Sequence, residues 1–251
     1  MFGTLKNPLA HFKITRKLFN SLAIRPKMRL FLTSYFRNNL AFDIETNLRI
    51  RALNSTCKYI EKNMIDVPLY NKAYDTLDHA LEQVSFKGII CEFGVWKGKS
   101  INYIAKKNAQ KVHAFDSFEG LPETWLSTHK KGHFALKNMP FFEKNVVIHK
   151  GWFDDTLPQF VKEHTENISF LHIDCDLYSS TKTIFKWLDK QIVEGTIIVF
   201  DEYFNYPFWE HHEYKAFQEF VNENNVKYEY LCYSSKKFGS KVAVRILKRQ
   251  I

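Results

Sequence analysis

The chain has 251 residues, 45% of them hydrophobic and 25% charged, which suits a globular α/β domain with a sizeable core. No run approaches the roughly 18 consecutive apolar residues of a membrane span. The four cysteines, Cys57, Cys91, Cys175 and Cys232, lie far apart without a C-x-x-C pair, so neither a disulfide framework nor a zinc site is indicated and a reducing cytoplasm is expected. The net charge of +9 is concentrated at one end: residues 1–42 hold eight Lys/Arg and no acid, against 28 basic and 27 acidic residues in the rest. A nearly neutral main body argues against a nucleic-acid-binding core.

Three readings stand for Met1–Phe42. Leu18, Phe19, Leu22, Leu30, Phe31, Leu32, Tyr35 and Phe36 are interleaved with basic residues, as in an interfacial helix that would touch an anionic membrane from the cytoplasmic side. Pro26 would split such a helix. The lack of acids also resembles an organelle transit peptide. The third reading is an accessory helical layer.

Residues 50–63 and 69–84 read as helices; in the second, Leu69, Ala73, Leu77, Ala80 and Leu81 fall at 3- and 4-residue spacing. Strands are expected at Gly88–Glu92, Lys111–Phe115, Val146–His149, Ser169–Ile173 and Thr196–Phe200. Helices are expected at Ser100–Asn108, Leu157–His164, Ser180–Lys190 and Glu213–Asn222. Tyr228–Cys232 and Val242–Leu247 read as a closing hairpin joined by Ser234–Ser240. Strands alternating with helices imply a mostly parallel sheet with helices on both faces. Ligands of such sheets sit at the carboxyl ends of the strands. Glu92, Asp116, Asp174 with Asp176, and Asp201 with Glu202 stand at or just past those ends. Ser117–Phe142 is a long connection of the kind that forms lids.

Residues 88–100, Gly-Ile-Ile-Cys-Glu-Phe-Gly-Val-Trp-Lys-Gly-Lys-Ser, run from an apolar strand through two glycines into a helix. Glycines let the backbone approach a ligand, and a helix start offers free N–H groups. A P-loop needs four residues between its glycines, and only three separate Gly94 from Gly98. A dinucleotide site needs a bare second glycine, where Trp96 stands. A ligand with an adenosine and an amino-acid tail, S-adenosylmethionine, tolerates that bulk. Asp116, 22 residues after Gly94, could accept both ribose hydroxyls; alternatively it caps Ser117–Gly120. Trp152 and Phe153 are placed to flank an adenine or to pack in the core.

Glu92-Phe-Gly-Val-Trp-Lys-Gly98, Phe115-Asp-Ser-Phe-Glu-Gly-Leu-Pro122, Gly151-Trp-Phe-Asp-Asp-Thr-Leu-Pro158, His172-Ile-Asp-Cys-Asp-Leu-Tyr-Ser-Ser180 and Phe200-Asp-Glu-Tyr203 stand in order. Together they resemble the macrocin O-methyltransferase family, class I enzymes that methylate sugar hydroxyls with S-adenosylmethionine. The match covers roughly residues 85–222. The resemblance implies a Rossmann-like, seven-stranded, mostly parallel sheet with its last strand antiparallel. It divides the chain into a basic N-terminal helical segment, 1–50, and a methyltransferase domain, 51–251. A donor-binding set of Glu92, Gly94, Gly98, Ser100, Asp116, Ser117, Trp152 and Phe153 follows. It further implies a divalent cation, usually magnesium, on Asp174, Asp201 and Glu202. Two aspartates are more usual at the last pair, so Glu202 departs from the pattern.

A sugar hydroxyl is a poor nucleophile until a bound cation lowers its pKa and fixes it beside the methyl. Asp174 is expected to bind that cation and to serve as general base, and Asp176 to cap the next helix. His172 reads as a packed, hydrogen-bonded histidine. His211 and His212 read as surface residues, with a catalytic role as the other option. Tyr203, Phe204, Tyr206, Phe208 and Trp209 could stack on a sugar or pack in the core. A sugar-containing acceptor is the leading expectation, with a homo-oligomer allowed and no nucleic acid. A phenolic or amine acceptor is the alternative within enzymes, and a non-catalytic binding protein in glycan assembly the alternative outside them.

Overall fold

The computed structural model describes residues 42–249 apart from 73 and 236–238, together with residues 28, 30–32, 34 and 35. The expectations for Leu18, Phe19, Leu22, Pro26, Phe36 and Ala73, and the middle of the Ser234–Ser240 joint, lie outside the described residues. The chain divides into two units, Met1–Ser55 and Thr56–Ile251.

In the first unit the described residues 28, 30–32, 34 and 35 are helical, and helix α1 (Ile44–Asn63) begins. Asp43 caps α1, its Oδ2 accepting the Thr46 N–H at 3.0 Å. Those hydrogen bonds hold the Asp43 carboxyl below its usual range. Met28, Leu30, Phe31, Tyr35, Phe42 and Ile44 are all exposed.

The second unit is built on one sheet. Its strands are β1 (Leu69–Tyr70), β2 (Ile89–Phe93), β3 (Val112–Asp116), β4 (Val146–Lys150), β5 (Ile168–Ile173), β6 (Ile192–Phe204), β7 (Val226–Ser234) and β8 (Ser240–Arg249). The helices between them are α2 (Asp75–Glu82), α3 (Lys99–Lys106), α4 (Phe153–Glu163), α5 (Tyr178–Leu188) and α6 (Glu213–Glu223). Strand order is β1-β7-β8-β6-β5-β2-β3-β4. β8 runs antiparallel to both β6 and β7, and the other pairs are parallel. The expected mostly parallel sheet with an antiparallel last strand is present. It carries an eighth strand, because Leu69–Tyr70 adds to the edge of β7 where the sequence pattern had started a helix.

Alternation along each strand sorts the core into two layers. Ile90, Val112, Ala114, Phe170, Ile197, Val199 and Ala243 pack with Leu77 and Ala80 of α2 and with Ile101, Ile104 and Ala105 of α3. On the opposite face Phe115 meets Phe160 of α4, and Phe200 meets Phe217 of α6, at ring separations of 5.0 Å in each case. Phe185 of α5 stacks on Phe220 of α6 at 4.5 Å. Every residue of β5 is buried, as expected for a central parallel strand covered on both faces. Each large apolar side chain buried this way contributes about 1.5–3 kcal/mol. The two polar residues of β5 are both bonded: Ser169 Oγ donates to the Ile89 carbonyl, and His172 pairs with Glu92.

Candidate active site

The carboxyl ends of β2, β3, β5 and β6 open into a cavity of about 640 Å³, within the range typical of small-molecule sites. Gly94, Asp116, Ser117, Trp152, Phe153, Asp174, Asp201 and Glu202 line it, as do Trp96, Asp176, Trp125, His129 and Phe134.

Gly94 follows β2 with φ +86°, and a Cβ placed on it would lie 1.8 Å from the Asp174 carbonyl oxygen. Only glycine lets the donor loop cross the end of β5 at that distance. Adjacent hydrogen bonds, Gly94 N to Phe115 O and Asp174 N to Phe93 O, fix the crossing at 3.0 and 2.8 Å. Trp96 has φ +43° and is part-exposed at the cavity mouth, its ring 5.3 Å from that of Phe134.

The Asp116 carboxylate is a clamp on this loop. Its Oδ2 accepts the Val95 and Trp96 N–H groups at 2.7 and 2.8 Å, and its Oδ1 accepts the Phe118 N–H at 2.7 Å. The cap on the segment after β3 is therefore present, together with two bonds to the glycine loop. Three N–H donors occupy most of the roughly four acceptor sites of a carboxylate, so the two ribose hydroxyls expected there find little acceptor capacity left. Trp152 stands at the start of α4 and lines the cavity, and Phe153 combines cavity lining with edge-on packing against Phe93 at 5.2 Å.

Three expected donor contacts lie elsewhere. Glu92 is fully buried beneath the loop, its Oε1 accepting from Ser100 Oγ at 3.0 Å and its Oε2 lying 2.9 Å from His172 Nδ1. Gly98 caps α3 with φ +76° and faces Phe141 and Phe142. Glu92, Gly98 and Ser100 do not line the cavity. A buried carboxylate without partners is costly, and Ser100 and His172 satisfy Glu92.

The acids after β5 and in β6 form two overlapping groups. Ligand atoms of Asp174, Asp176 and Glu202 lie within 4.8 Å of one another, and so do those of His172, Asp174 and Asp201. The expected set of Asp174, Asp201 and Glu202 is thus divided between them. β6 runs on past Phe200 to Phe204, and its pairing with β8 shifts register between those residues. Asp201 and Glu202 therefore sit on an irregular stretch of strand, not in a solvated loop. Asp176 has φ +64°, an uncommon conformation for a non-glycine residue.

Glu213, at the start of α6, is fully buried and ties the Asp174, Asp176 and Glu202 group to the helix. Its two carboxylate oxygens accept the N–H groups of Asp176 and Glu202 at 3.1 and 3.3 Å. Burial, reinforced by the negative charges of Asp176 and Asp174, pushes its pKa well above the usual carboxylate value. Lys241 of β8 is also buried and forms an ion pair with Asp201. Burial lowers the pKa of its ammonium, an effect opposed by Asp174 and Glu92. Sequence reasoning missed both residues: Glu213 only opens the expected helix Glu213–Asn222, and Lys241 falls just before the expected strand Val242–Leu247.

Ser117–Phe142 folds over the cavity as a wall held by its own backbone. Leu121 N donates to the His133 carbonyl, Gly132 N to that of Leu121, and Leu136 N to that of Phe118. His172 is fully buried as expected. His211 is exposed, but His212 packs against Trp125 and Tyr206 instead of lying on the surface. Burial lowers the His212 pKa to about 4, helped by His211, so it is neutral at pH 7. Tyr203, Phe204, Tyr206 and Trp209 are buried core residues outside the cavity lining, and Phe208 is exposed.

A family model described as a methyltransferase domain matches residues 91–203, the stretch from β2 through the acids of β6. The methyltransferase resemblance carried by the motifs extends to curated relatives. The chain is 28% identical over 160 residues to the 8-demethyl-8-(2,3-dimethoxy-alpha-L-rhamnosyl)-tetracenomycin-C 4'-O-methyltransferase of Streptomyces olivaceus, covering 53% of this chain and 60% of that one. It is 24% identical over 145 residues to the demethyldecarbamoylnovobiocin O-methyltransferase of Streptomyces niveus, covering 48% of this chain and 54% of that one. The matched stretch thus spans somewhat more than half the length of these relatives. Among solved structures, the calicheamicin methyltransferase CalS11 aligns with a TM-score of 0.55 at 19% identity, covering 98% of this chain and 94% of that one. The O-methyltransferase NovP aligns at 0.50 and 18%, covering 69% of this chain and 77% of that one. At such identities the likeness is one of fold, and that fold is the class I methyltransferase sheet. Among the described residues no helix is long and apolar enough to cross a membrane.

Proposed function

We propose that the chain is an S-adenosylmethionine-dependent O-methyltransferase whose acceptor is a sugar hydroxyl on a glycan, glycolipid or natural product. One observation carries this reading: the glycine loop and the acidic groups, brought from four strand ends, line the same cavity. A donor at Gly94, Trp152 and Phe153 would therefore lie beside an acceptor oxygen at Asp174. The curated relatives support a sugar-bearing acceptor, since the tetracenomycin enzyme is named for a rhamnosyl substrate.

The chain's own residues divide the work. Gly94 and the Asp116 clamp hold the loop in place, so binding the donor needs little further ordering. The Ser117–Phe142 wall, with Trp125 and Phe134, excludes water from the transferring methyl. Asp174 takes the proton of the attacking hydroxyl as the new O–CH₃ bond forms; the S–CH₃ bond breaks with its electron pair left on sulfur. The acidic set is made of hard oxygen ligands, which suits magnesium. When bound there, the cation would supply a Lewis acid that makes the hydroxyl easier to deprotonate.

A phenolic acceptor is the second reading, favoured by the rings of Trp96, Trp125 and Phe134 at the cavity. Peripheral contact with an anionic membrane belongs to the same proposal, supported by the all-basic charge of residues 1–42 and the exposed Met28, Leu30, Phe31 and Tyr35. The test is transfer of a labelled methyl from S-adenosylmethionine to a panel of deoxysugar glycosides and catechols. Labelled sugar products that disappear with EDTA are expected. Labelling of catechols alone would replace the sugar reading, and full activity in EDTA would remove the cation.

A further inference from the structure

The cavity and one edge of its mouth carry opposite charge. The described lining includes Asp116, Asp174, Asp176, Asp201 and Glu202 but no lysine or arginine. The lysines stand one step outside. Lys97 follows Trp96, and Lys130 and Lys131 follow His129; Trp96 and His129 both line the cavity. Lys97, Lys130 and Lys131 are exposed, and among the described residues none of them pairs with an acid. Lys106, Lys107, Lys182 and Lys215 each do. The exposed lining acids Asp154 and Glu123 turn to hydroxyls of α5 instead, accepting from Thr183 at 3.5 Å and Ser179 at 2.6 Å.

Aromatic rings join the two groups of cations. Lys97 Nζ lies 4.1 Å from the Trp96 ring centroid. The Trp96 ring is 5.3 Å from that of Phe134, and the His133 ring is 4.3 Å from Phe134 and 4.6 Å from His129. The backbone holds both ends of this arc. Trp96 keeps φ +43°, an outlier for a bulky residue, with its N–H bound by Asp116 at 2.8 Å. Residues 129–133 form a tight turn, in which His133 N donates to the Lys130 carbonyl and Gly132 N to that of Leu121, at 2.9 Å each. Gly120 crosses that turn with φ +82°, where a Cβ would lie 2.3 Å from the His133 carbonyl oxygen. The lysines are thus presented at a fixed place on the cavity wall.

We propose that the acceptor sugar is carried on a phosphate group, which Lys97, Lys130 and Lys131 receive at the mouth while the hydroxyl to be methylated reaches the acids inside. A phosphate directed inward would meet carboxylates, whereas at this edge it meets cations without competing acids. The rings of Trp96 and Phe134 suit the flat or apolar part of a phosphate-linked carrier, a nucleoside or a prenyl chain. This inference deepens the sugar methyltransferase reading above and rests on it.

The test is calorimetric titration of sodium pyrophosphate into the full chain saturated with S-adenosylhomocysteine, in metal-free buffer of low salt. The triple variant Lys97→Ala/Lys130→Ala/Lys131→Ala is expected to weaken binding more than about tenfold. These side chains are exposed, so the variant keeps its fold. The control Lys227→Ala/Lys248→Ala removes two exposed lysines that pair across β7 and β8 at the other end of the sheet, and is expected to change affinity less than about twofold. UDP and farnesyl diphosphate, titrated in the same way, separate the two carriers: the tighter of them names a nucleoside or a lipid. A wild-type chain that binds no pyrophosphate at millimolar concentration would overturn the inference. So would wild-type affinity in the triple variant, or equal weakening in the control. If labelled methyl then still reached a neutral glycoside, the sugar methyltransferase reading would stand and the phosphate alone would fall.

Discussion

The donor side and the acidic side of the cavity are assembled from different distances along the chain. Gly94, Trp96, Asp116, Trp152 and Phe153 come from the ends of β2 and β3 and the start of α4, all within the first half of the sheet's chain path, and hydrogen bonds between the loop and a neighbouring strand end hold them. The Asp116 clamp on Val95 and Trp96 is the clearest instance. The acidic side takes Asp174 and Asp176 from β5, Glu202 from β6, Glu213 from α6 and Lys241 from β8. Its order depends on partners far away in sequence, because β8 returns antiparallel and brings its first residues to the carboxyl end of β6. A site built locally is exposed to local backbone changes, whereas one built from a distance is exposed to charge changes.

The largest expected effect lies where the two sides touch. Gly94→Ala puts a methyl group into the Asp174 carbonyl at a left-handed φ. The left-handed penalty is about 1–2 kcal/mol and overpacking adds about 1–3. Chemical denaturation should show a loss of roughly 2–5 kcal/mol, with donor binding lost as well. A variant with wild-type stability would break the claim that this crossing organises the cavity.

A smaller effect tests the donor-side layer by pH. His113 on β3 is buried, with its Nδ1 3.0 Å from His149 Nε2, and His164 packs on its ring. Burial first, then His149, His164 and Lys111, lower its pKa from 6.5 to about 4, while Glu166 opposes. Between pH 6.5 and 4 the unfolded chain binds a proton that the folded chain does not. Stability therefore falls as pH drops through that window, by up to about 3 kcal/mol for this group. It is flat with respect to His113 above pH 6.5. Thermal melts of wild type and His113→Phe from pH 7.5 to 4 check this, and the variant should show the shallower fall.

Asp116→Asn is the mildest of the three. It keeps one acceptor oxygen and replaces the other with an NH₂ group facing backbone N–H donors. Leaving such donors unpaired costs about 1–3 kcal/mol. Titration with S-adenosylhomocysteine should show affinity reduced by about tenfold, the equivalent of about 1.4 kcal/mol. Unchanged affinity would show that the loop does not need the clamp.

Much of this was legible in the sequence. The strands β2, β3, β5 and β6 announced themselves as apolar runs ending in acids and β4 as an apolar run, and the antiparallel close was readable from the two final β-rich segments. Leu69–Tyr70 was misread because its apolar residues continue the helical spacing of α2, and its strand character comes only from pairing with Tyr233 and Ser234. At the site, Gly94, Asp116 and Asp174 were visible from position alone. Glu92 and Ser100 look the same in sequence as cavity residues, yet Glu92 on β2 is buried under the loop and Ser100, in the first turn of α3, donates to it there. Lys241 and Glu213 gave no signal, because their significance lies in contacts with acids many residues earlier.

The central claim is that one cavity joins a donor pocket, which stands by itself, to an acidic centre that acts on the acceptor. Calorimetric binding of S-adenosylhomocysteine to wild type and to Asp174→Ala, paired with labelled methyl transfer to a sugar glycoside, tests it most directly. The account expects binding to be equal within about threefold, while Asp174→Ala loses about a thousandfold in transfer rate. Absence of S-adenosylhomocysteine binding to the wild-type chain, or undiminished transfer by Asp174→Ala, would contradict it.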